Sequence, residues 1–343
     1  MARKSHNTMS YRVIVKPAGI SFVVHDQETV LEAALRCGYF FPHCCRMGVC
    51  TACKGKVMSG EIDYAGSEII GLTEAERAEG YALFCCAQPK TDLVIQVEDA
   101  SGAQSYLPKQ FVYDVVRCES LAENVMRIIL KPSADEHLVF QAGQYIKVVH
   151  QDDSLSPLSI ASIPGFDLEL HLAYSEENAS SQDVLRMARV EKKLTLRGPY
   201  GNCTVADIQC DLPIIFLARG TGFASIKAMV EQLKEFQKYP AMHLYWGVTD
   251  RKELYLDSLA KRWVTELEYF SYTPVLSRDD ESWGGKIGLL QDVILQDFPS
   301  LVDYQVYASA PESIVHDALH EFQRAGLRRG RYYSDVFDYD PDA

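Results

Sequence analysis

Apolar and polar side chains alternate at the start of the chain. YRVIVKP (11–17) and ISFVVHD (20–26) flank Ala18-Gly19. A period of two, rich in Val and Ile, predicts two short strands joined by a turn. Residues 28–36 (ETVLEAALR) change to helical spacing, with Asp26 expected as the cap and Gly38 as the stop. Residues 39–60 are rich in Cys and Gly and read as loop, and LVIQVED (93–99) returns to strand. ASGAQSYLPKQ (100–110) is small and polar and reads as a linker.

From residue 111 the pattern becomes a series of short alternating segments. FVYDVVRCES, NVMRIILKP, QYIKVVHQ, DLELHLAY and KKLTLRGP are separated by turn residues. Such spacing predicts a small antiparallel β-barrel. From about residue 211 it changes again: PIIFLA is a continuous apolar run of the buried-strand kind, followed by RGTG and the helical SIKAMVEQLKEFQKY. AMHLYWGV, YFSYTPVLS and YQVYASA then alternate with helical segments, which predicts a doubly wound parallel sheet.

A length of 343 residues fits two or three domains. The chain carries 34 Lys+Arg against 47 Asp+Glu, a net charge of −13, which argues against general affinity for nucleic acid or anionic membranes. No apolar run approaches the roughly 18–20 residues of a membrane span. MARKSHNTMS has no apolar region behind its basic residues, so neither a signal peptide nor a membrane span is expected, and the protein is expected to be cytoplasmic. The ten cysteines are clustered: Cys37, Cys44, Cys45, Cys50 and Cys53 lie close together, and Cys85 and Cys86 are adjacent. A chain this long needs no disulfide staples, so clustered thiols point to a metal site.

Cys45-x4-Cys50-x2-Cys53, with a distant cysteine at 85, has the plant-type [2Fe–2S] spacing. Thiolates are soft anionic ligands for iron, and Gly48 lets backbone amides approach the cluster sulfurs. A structural zinc site is the weaker reading, because only Cys50 and Cys53 form a paired knuckle. Spacing selects Cys45 over Cys44 but does not by itself choose between Cys85 and Cys86. Cys37, Cys44 and Cys86 are expected to be buried thiols that do not bind metal.

ETVLEAALRCG, CRMGVCTACKGKV, SGEID and LFCCAQPKTDLVIQV resemble the ferredoxin domain of bacterial oxygenase reductases, such as the phenol hydroxylase and methane monooxygenase reductases. The resemblance implies a β-grasp domain over residues 9–99 and places the fourth ligand at Cys85. FQAGQYIKV, SPLSIAS and LRGPYGN resemble the flavin motifs of the ferredoxin–NADP reductase superfamily. They imply an FAD-binding barrel over 111–208, with Ser156, Pro157, Leu158, Ser159 and Ile160 against the flavin and Ser159 at its N5. The family's Arg-x-Tyr/Phe-Ser is Ser156-Pro157-Leu158-Ser159 here. The arginine that pairs with the pyrophosphate and the aromatic ring that stacks on the flavin are both replaced. Ser180 and Ser181 stand where the family places pyrophosphate-binding hydroxyls at a helix N-terminus, a partial compensation.

Gly220-Thr221-Gly222 follows a buried strand and opens a helix, the construction of a backbone cradle for pyrophosphate. LARGTGFASIKAMVEQL, HLYWGVTDRKELY and VYASAPESIV resemble the pyridine-nucleotide motifs of the same superfamily, implying an NAD(P)-binding domain over 209–343. There Thr221 and Ser309 would flank the nicotinamide, with Ser309-Ala310 in place of the family's Cys-Gly. Arg219 takes a position often held by glycine. Arg251, Ser277 and Arg278 follow successive strands, where the adenosine ribose is recognised. NADH is favoured over NADPH by the resemblance.

The whole implies an iron–sulfur flavoprotein that passes electrons from NAD(P)H through FAD and a [2Fe–2S] cluster to a partner protein, an oxygenase or hydroxylase component. Alternatives are a deoxyhexose dehydratase or free flavin as acceptor, or an iron–sulfur module whose flavin site has decayed. Trp246 and the histidines, His150 and His171 among them, read as core or surface residues, and Phe337 or Tyr339 as a cover for the flavin. No Ser–His–Asp arrangement stands out along the chain.

Overall fold

A computed structural model describes residues 10–25, 28–37, 39–41, 48, 51, 53–66, 69–97, 101–102, 108–201, 203–205, 208, 211–235, 239–278, 280, 282–328 and 331–337. The described residues up to 102 belong to one compact unit, and those from 108 to 337 belong to a second.

The first unit is built on a five-stranded sheet. Its order is Ile20–Val24, Tyr11–Lys16, Leu93–Gln96, Lys54–Ser59 and Tyr81–Leu83. Tyr11–Lys16 pairs antiparallel with Ile20–Val24 and parallel with Leu93–Gln96, the mixed pairing of a β-grasp sheet. The helix Val30–Arg36 buries Val30, Leu31, Ala33 and Ala34 in a core shared with Phe22, Phe41 and Phe84. Its cap is Thr29, which exchanges hydrogen bonds with Glu32 in a capping box. Asp26, the expected cap, and Gly38 lie outside the described residues.

Two stretches read as irregular are partly ordered strands. Lys54–Ser59 lies within the Cys- and Gly-rich segment, and its pairing with Leu93–Gln96 and Tyr81–Leu83 outweighs its weak intrinsic pattern. Within the segment read as a linker, Ser101–Gly102 pairs with Tyr39–Phe40, and Lys109 opens a long barrel strand.

The second unit joins two sheets. The antiparallel one has the order Leu155–Ser159, Tyr145–Val149, Lys193–Tyr200, Lys109–Ala122, Val125–Pro132 and Leu168–Ala173. A bridge between Ile160 and Leu170 ties its two ends together and closes the barrel. Ile128, Leu130, Ile146, Val148, Leu170 and Leu196 fill it.

The parallel sheet has the order Lys286–Ile287, Phe270–Leu276, Met242–Val248, Ile214–Arg219, Gln305–Ser309 and Tyr332–Ser334. Tyr332–Ser334, three residues paired with Gln305–Ser309, was not expected from the sequence. The chain runs outward from Ile214–Arg219 in one direction and then returns to its other side with Gln305–Ser309. The switch point of this doubly wound sheet therefore lies between those two strands, where such sheets bind ligands.

Buried polar groups tie the barrel to the parallel-sheet domain. Lys227, on the helix Phe223–Lys234, donates to the Ala161 carbonyl at 2.9 Å and meets Glu169 at 3.2 Å and Glu231 at 2.9 Å. His171 Nδ1 is 3.0 Å from the Tyr255 hydroxyl. No helix among the described residues is long and apolar enough to cross a membrane.

Candidate functional site

Three places carry chemistry, and the first is the cysteine site. Lys54–Ser59 and Tyr81–Leu83 pair Lys54 with Leu83, and the Phe84 N–H donates to the Cys53 carbonyl at 3.1 Å. Cys53 and Cys85 flank this rung and are both buried. The hydrogen-bonded Cys53 thiol, assisted by burial, pushes the Cys85 thiol well above its ordinary pKa, and the Gly48 N–H opposes this by donating to its sulfur. Gly48 takes φ +71°, which aims that amide without steric cost. Two buried thiols with a backbone donor on one of them fit an iron–sulfur ligand set, since a bound metal strips the proton from a coordinating thiol. Cys86 Sγ lies 3.5 Å from Cys85 Sγ and is half-buried, and Cys37 is exposed rather than buried. Cys45, Cys50 and Cys44 lie outside the described residues.

The second place is the turn at the switch point. Gly220 has φ +54°, and residues 220–222 form one tight turn before the helix Phe223–Lys234. The Trp246 indole N–H donates to the Gly220 carbonyl at 2.9 Å, and the ring stacks on Phe223 at 3.9 Å. Trp246 is thus a core residue that also fixes the turn. A Cβ on Gly222 would lie 2.0 Å from the Ser309 carbonyl oxygen, so only glycine lets the turn sit against the neighbouring strand end. This contact seats the turn directly on the end of the Gln305–Ser309 strand. Arg219 reaches across the strand ends to Thr249 at 2.7 Å and Ser277 at 3.4 Å, and burial pushes its pKa down. Arg251 lies over the Trp283 ring at 5.7 Å, and Arg278 is exposed.

The third place is a cavity of about 390 Å³ between the barrel and this turn, a size within the range of small-molecule sites. Ser156, Pro157, Leu158 and Ser159 form one wall, Thr221 and Gly222 another, and Asn178, Ser180 and Ser181 a third at the start of the helix Ala179–Arg186. Asn178 caps that helix by accepting the Ser181 N–H at 2.9 Å, and the Ser181 hydroxyl donates to the Asn178 carbonyl. Ser181 is therefore largely a capping residue, while Ser180 is exposed at the rim. Ile160 is fully buried at the barrel closure, and neither it nor Ser309 lines the cavity. Apolar faces from Leu155, Leu158, Leu172 and Val184, with a hydroxyl-rich pole at a helix start, fit a ligand that is aromatic at one end and anionic at the other. FAD has that character. The side chain of Phe337 and all of Tyr339 lie outside the described residues.

Folding also assembles a set that the sequence did not reveal. His150 Nδ1 is 2.6 Å from Asp183 Oδ2, and its Nε2 is 2.7 Å from the Ser156 hydroxyl. The three residues come from a strand end, a helix and a second strand, so no spacing rule along the chain could have found them.

Residues 13–90 match the family described as a 2Fe-2S iron-sulfur cluster binding domain, and residues 216–319 match the oxidoreductase NAD-binding domain. The chain is 31% identical to the CDP-6-deoxy-L-threo-D-glycero-4-hexulose-3-dehydrase reductase of Yersinia pestis, over 96% of this chain and 99% of that one. It is 32% identical to DmpP, the reductase component of phenol 2-monooxygenase from a Pseudomonas species, over 96% and 94% of the two chains. The crystal structure of the Amycolatopsis cytochrome P450 reductase GcoB matches with a TM-score of 0.67 at 25% identity, covering 95% of this chain and 98% of that one. The chain belongs to the ferredoxin–NADP reductase-type electron-transfer reductases, NAD(P)H-dependent flavoproteins that carry a plant-type [2Fe–2S] domain.

Proposed function

We propose that this reductase draws electrons from NADH and delivers them to a partner protein in the cytoplasm, an oxygenase or hydroxylase component. The observation that supports the reading is the cavity walled jointly by Ser159 of the barrel and Thr221 of the turn, where a nicotinamide and a flavin would meet. A deoxyhexose dehydratase as acceptor is the second reading, favoured by the 31% identity to the Yersinia dehydrase reductase over 99% of its length. The proposed domains are 9–99, 111–208 and 209–343.

The roles follow from chemistry. FAD, when bound, converts the two-electron hydride of the nicotinamide into the single electrons that a [2Fe–2S] centre accepts. The backbone of Gly220-Thr221-Gly222 receives the nucleotide pyrophosphate at a helix start. Thr221 and Ser309 flank the nicotinamide, and the Ser159 hydroxyl binds the flavin edge at N5. Ser156, Ser180 and Ser181 form the phosphate pole, and Leu158 packs on the ring. Arg251, Ser277 and Arg278 recognise the adenosine ribose. Cys45, Cys50, Cys53 and Cys85 hold the cluster.

Cluster loading tests the ligand set without recourse to activity. Serine at any of those four positions is expected to abolish acid-labile sulfide, whereas Cys44→Ser and Cys86→Ser should retain it. Retention of the cluster by Cys45→Ser together with its loss in Cys44→Ser would overturn the assignment. Reduction of a purified oxygenase component, compared with that of a dehydratase, decides the acceptor.

A further inference from the structure

The arginine that the superfamily sets against the FAD pyrophosphate is Ser156 here, but Ser156 does not act alone. His150 follows the strand Tyr145–Val149, and its side chain is 5% exposed. One ring nitrogen meets Asp183 at 2.6 Å and the other meets the Ser156 hydroxyl at 2.7 Å. Asp183 also accepts two bonds from Arg186, at 3.0 and 2.7 Å. The bond from His150, followed by those from Arg186, holds the Asp183 carboxyl below its usual pKa. An ionised carboxylate only accepts, so the proton on Nδ1 is fixed.

The state of Nε2 then decides what Ser156 shows to the cavity. A bare Nε2 accepts a hydrogen bond from the Ser156 hydroxyl, and the oxygen turns lone pairs toward the cavity. A protonated Nε2 donates to that oxygen instead, and the Ser156 proton becomes available to an anion. An anion at this pole selects the second state, and the imidazolium supplies the positive charge that the missing arginine would have given.

We infer that Asp183, His150 and Ser156 form a proton-linked clamp for the FAD pyrophosphate, in which binding of FAD takes up one proton from solvent at His150. Ser156 makes the contact, and His150 and Asp183 are positioning residues. The inference rests on the reading of this cavity as the flavin site. Asp152, on the turn after His150, Asp183 and Arg186 on the helix, and Glu191, paired with Arg186, are the charged groups around the ring. His171 lines the same cavity, but burial lowers its pKa, and Glu169 and Tyr255 occupy both its nitrogens.

The test strips flavin from the full chain and titrates it with FAD and with riboflavin, which has no phosphate. For the native sequence, the FAD dissociation constant is expected to rise between about pH 6 and about pH 8.5, by up to about tenfold per pH unit for uptake of one proton, with riboflavin unchanged. His150→Gln should flatten the profile and weaken FAD about tenfold at about pH 6, the scale of one charge-assisted hydrogen bond. Asp183→Asn should also flatten the profile, by letting the ring choose its tautomer. Ser156→Ala removes one oxygen and keeps the fold; it should weaken FAD selectively over riboflavin. A flat native profile, or an unchanged one in His150→Gln, overturns the proton linkage. If Ser156→Ala leaves the preference for FAD over riboflavin intact, the pyrophosphate lies elsewhere, and the reading of the pole fails with it.

Discussion

The Gly220-Thr221-Gly222 turn and the strand Leu155–Ser159, proposed to hold nucleotide and flavin, line one cavity, yet they are specified in different ways. The turn is made of backbone. Gly222 sits where any Cβ would meet the Ser309 carbonyl at 2.0 Å, and the Trp246 indole locks the Gly220 carbonyl from the side. Such a site tolerates almost no change, so it remains legible as Gly-Thr-Gly after an apolar strand. The proposed phosphate pole of the barrel is made of side chains, and side chains can be exchanged if the charge is supplied another way. Here Ser156 stands in place of arginine, and His150 and Asp183 stand behind it. Geometric constraint preserves a motif, whereas charge complementarity allows it to drift.

The largest effect should come from the rigid side of this comparison. Gly222→Ala must displace the turn from the Ser309 strand end, and kcat/KM for NADH should fall about a hundredfold or more, as for other misplacements near an ångström. A near-native value in steady-state kinetics would mean that the turn is not held as described.

The contact between the two regions comes next. Lys227→Met removes the ammonium partner of Glu169 but leaves Arg127 at 3.0 Å, and denaturant unfolding at neutral pH should show a loss of about 1–3 kcal/mol. Burial by itself raises the Glu169 pKa, but the hydrogen bond from His171 and the charges of Lys227, His171 and Arg127 bring it to about 2. A lowered carboxyl pKa stabilises the fold above the unfolded value, so this contribution is full above about pH 4.5 and is lost as pH falls toward about 2. In Lys227→Met the folded-state pKa moves back toward the unfolded one, so the acid loss from Glu169 should be smaller and should end at a higher pH.

The flavin strand should respond least to change and in the opposite sense. Ser156→Arg restores a permanent charge, and FAD should bind up to about tenfold more tightly. It also removes the hydroxyl that His150 holds, so the pH dependence of FAD binding should disappear. An unchanged FAD affinity in a titration of the flavin-free protein would mean that the pyrophosphate takes another path.

Much of this architecture was readable along the chain. The period-two segments from residue 111 became the barrel strands, and the apolar run before RGTG became the central strand of the parallel sheet. The clustered cysteines marked a metal site because thiol spacing along a loop is itself the ligand geometry. One miss was local: Asp26 looked like a helix cap, but Thr29-x-x-Glu32 is the capping-box pattern and forms the reciprocal bonds. The other misses depend on tertiary context. Lys54–Ser59 is held by its sheet neighbours. His150 gave no signal, since its partners lie six and thirty-three residues away on other elements. Lys227 read as an ordinary helix residue, although it is the buried cation that binds the barrel to its neighbour.

The relay between cofactors is tested most directly by stopped-flow absorbance after NADH is mixed anaerobically with flavin-free protein and with the same protein reloaded with FAD. Nicotinamide donates two electrons as hydride and the cluster takes one, so the cluster bands should persist in the flavin-free protein and bleach only after reloading. Bleaching of the cluster at full rate without flavin would contradict the account.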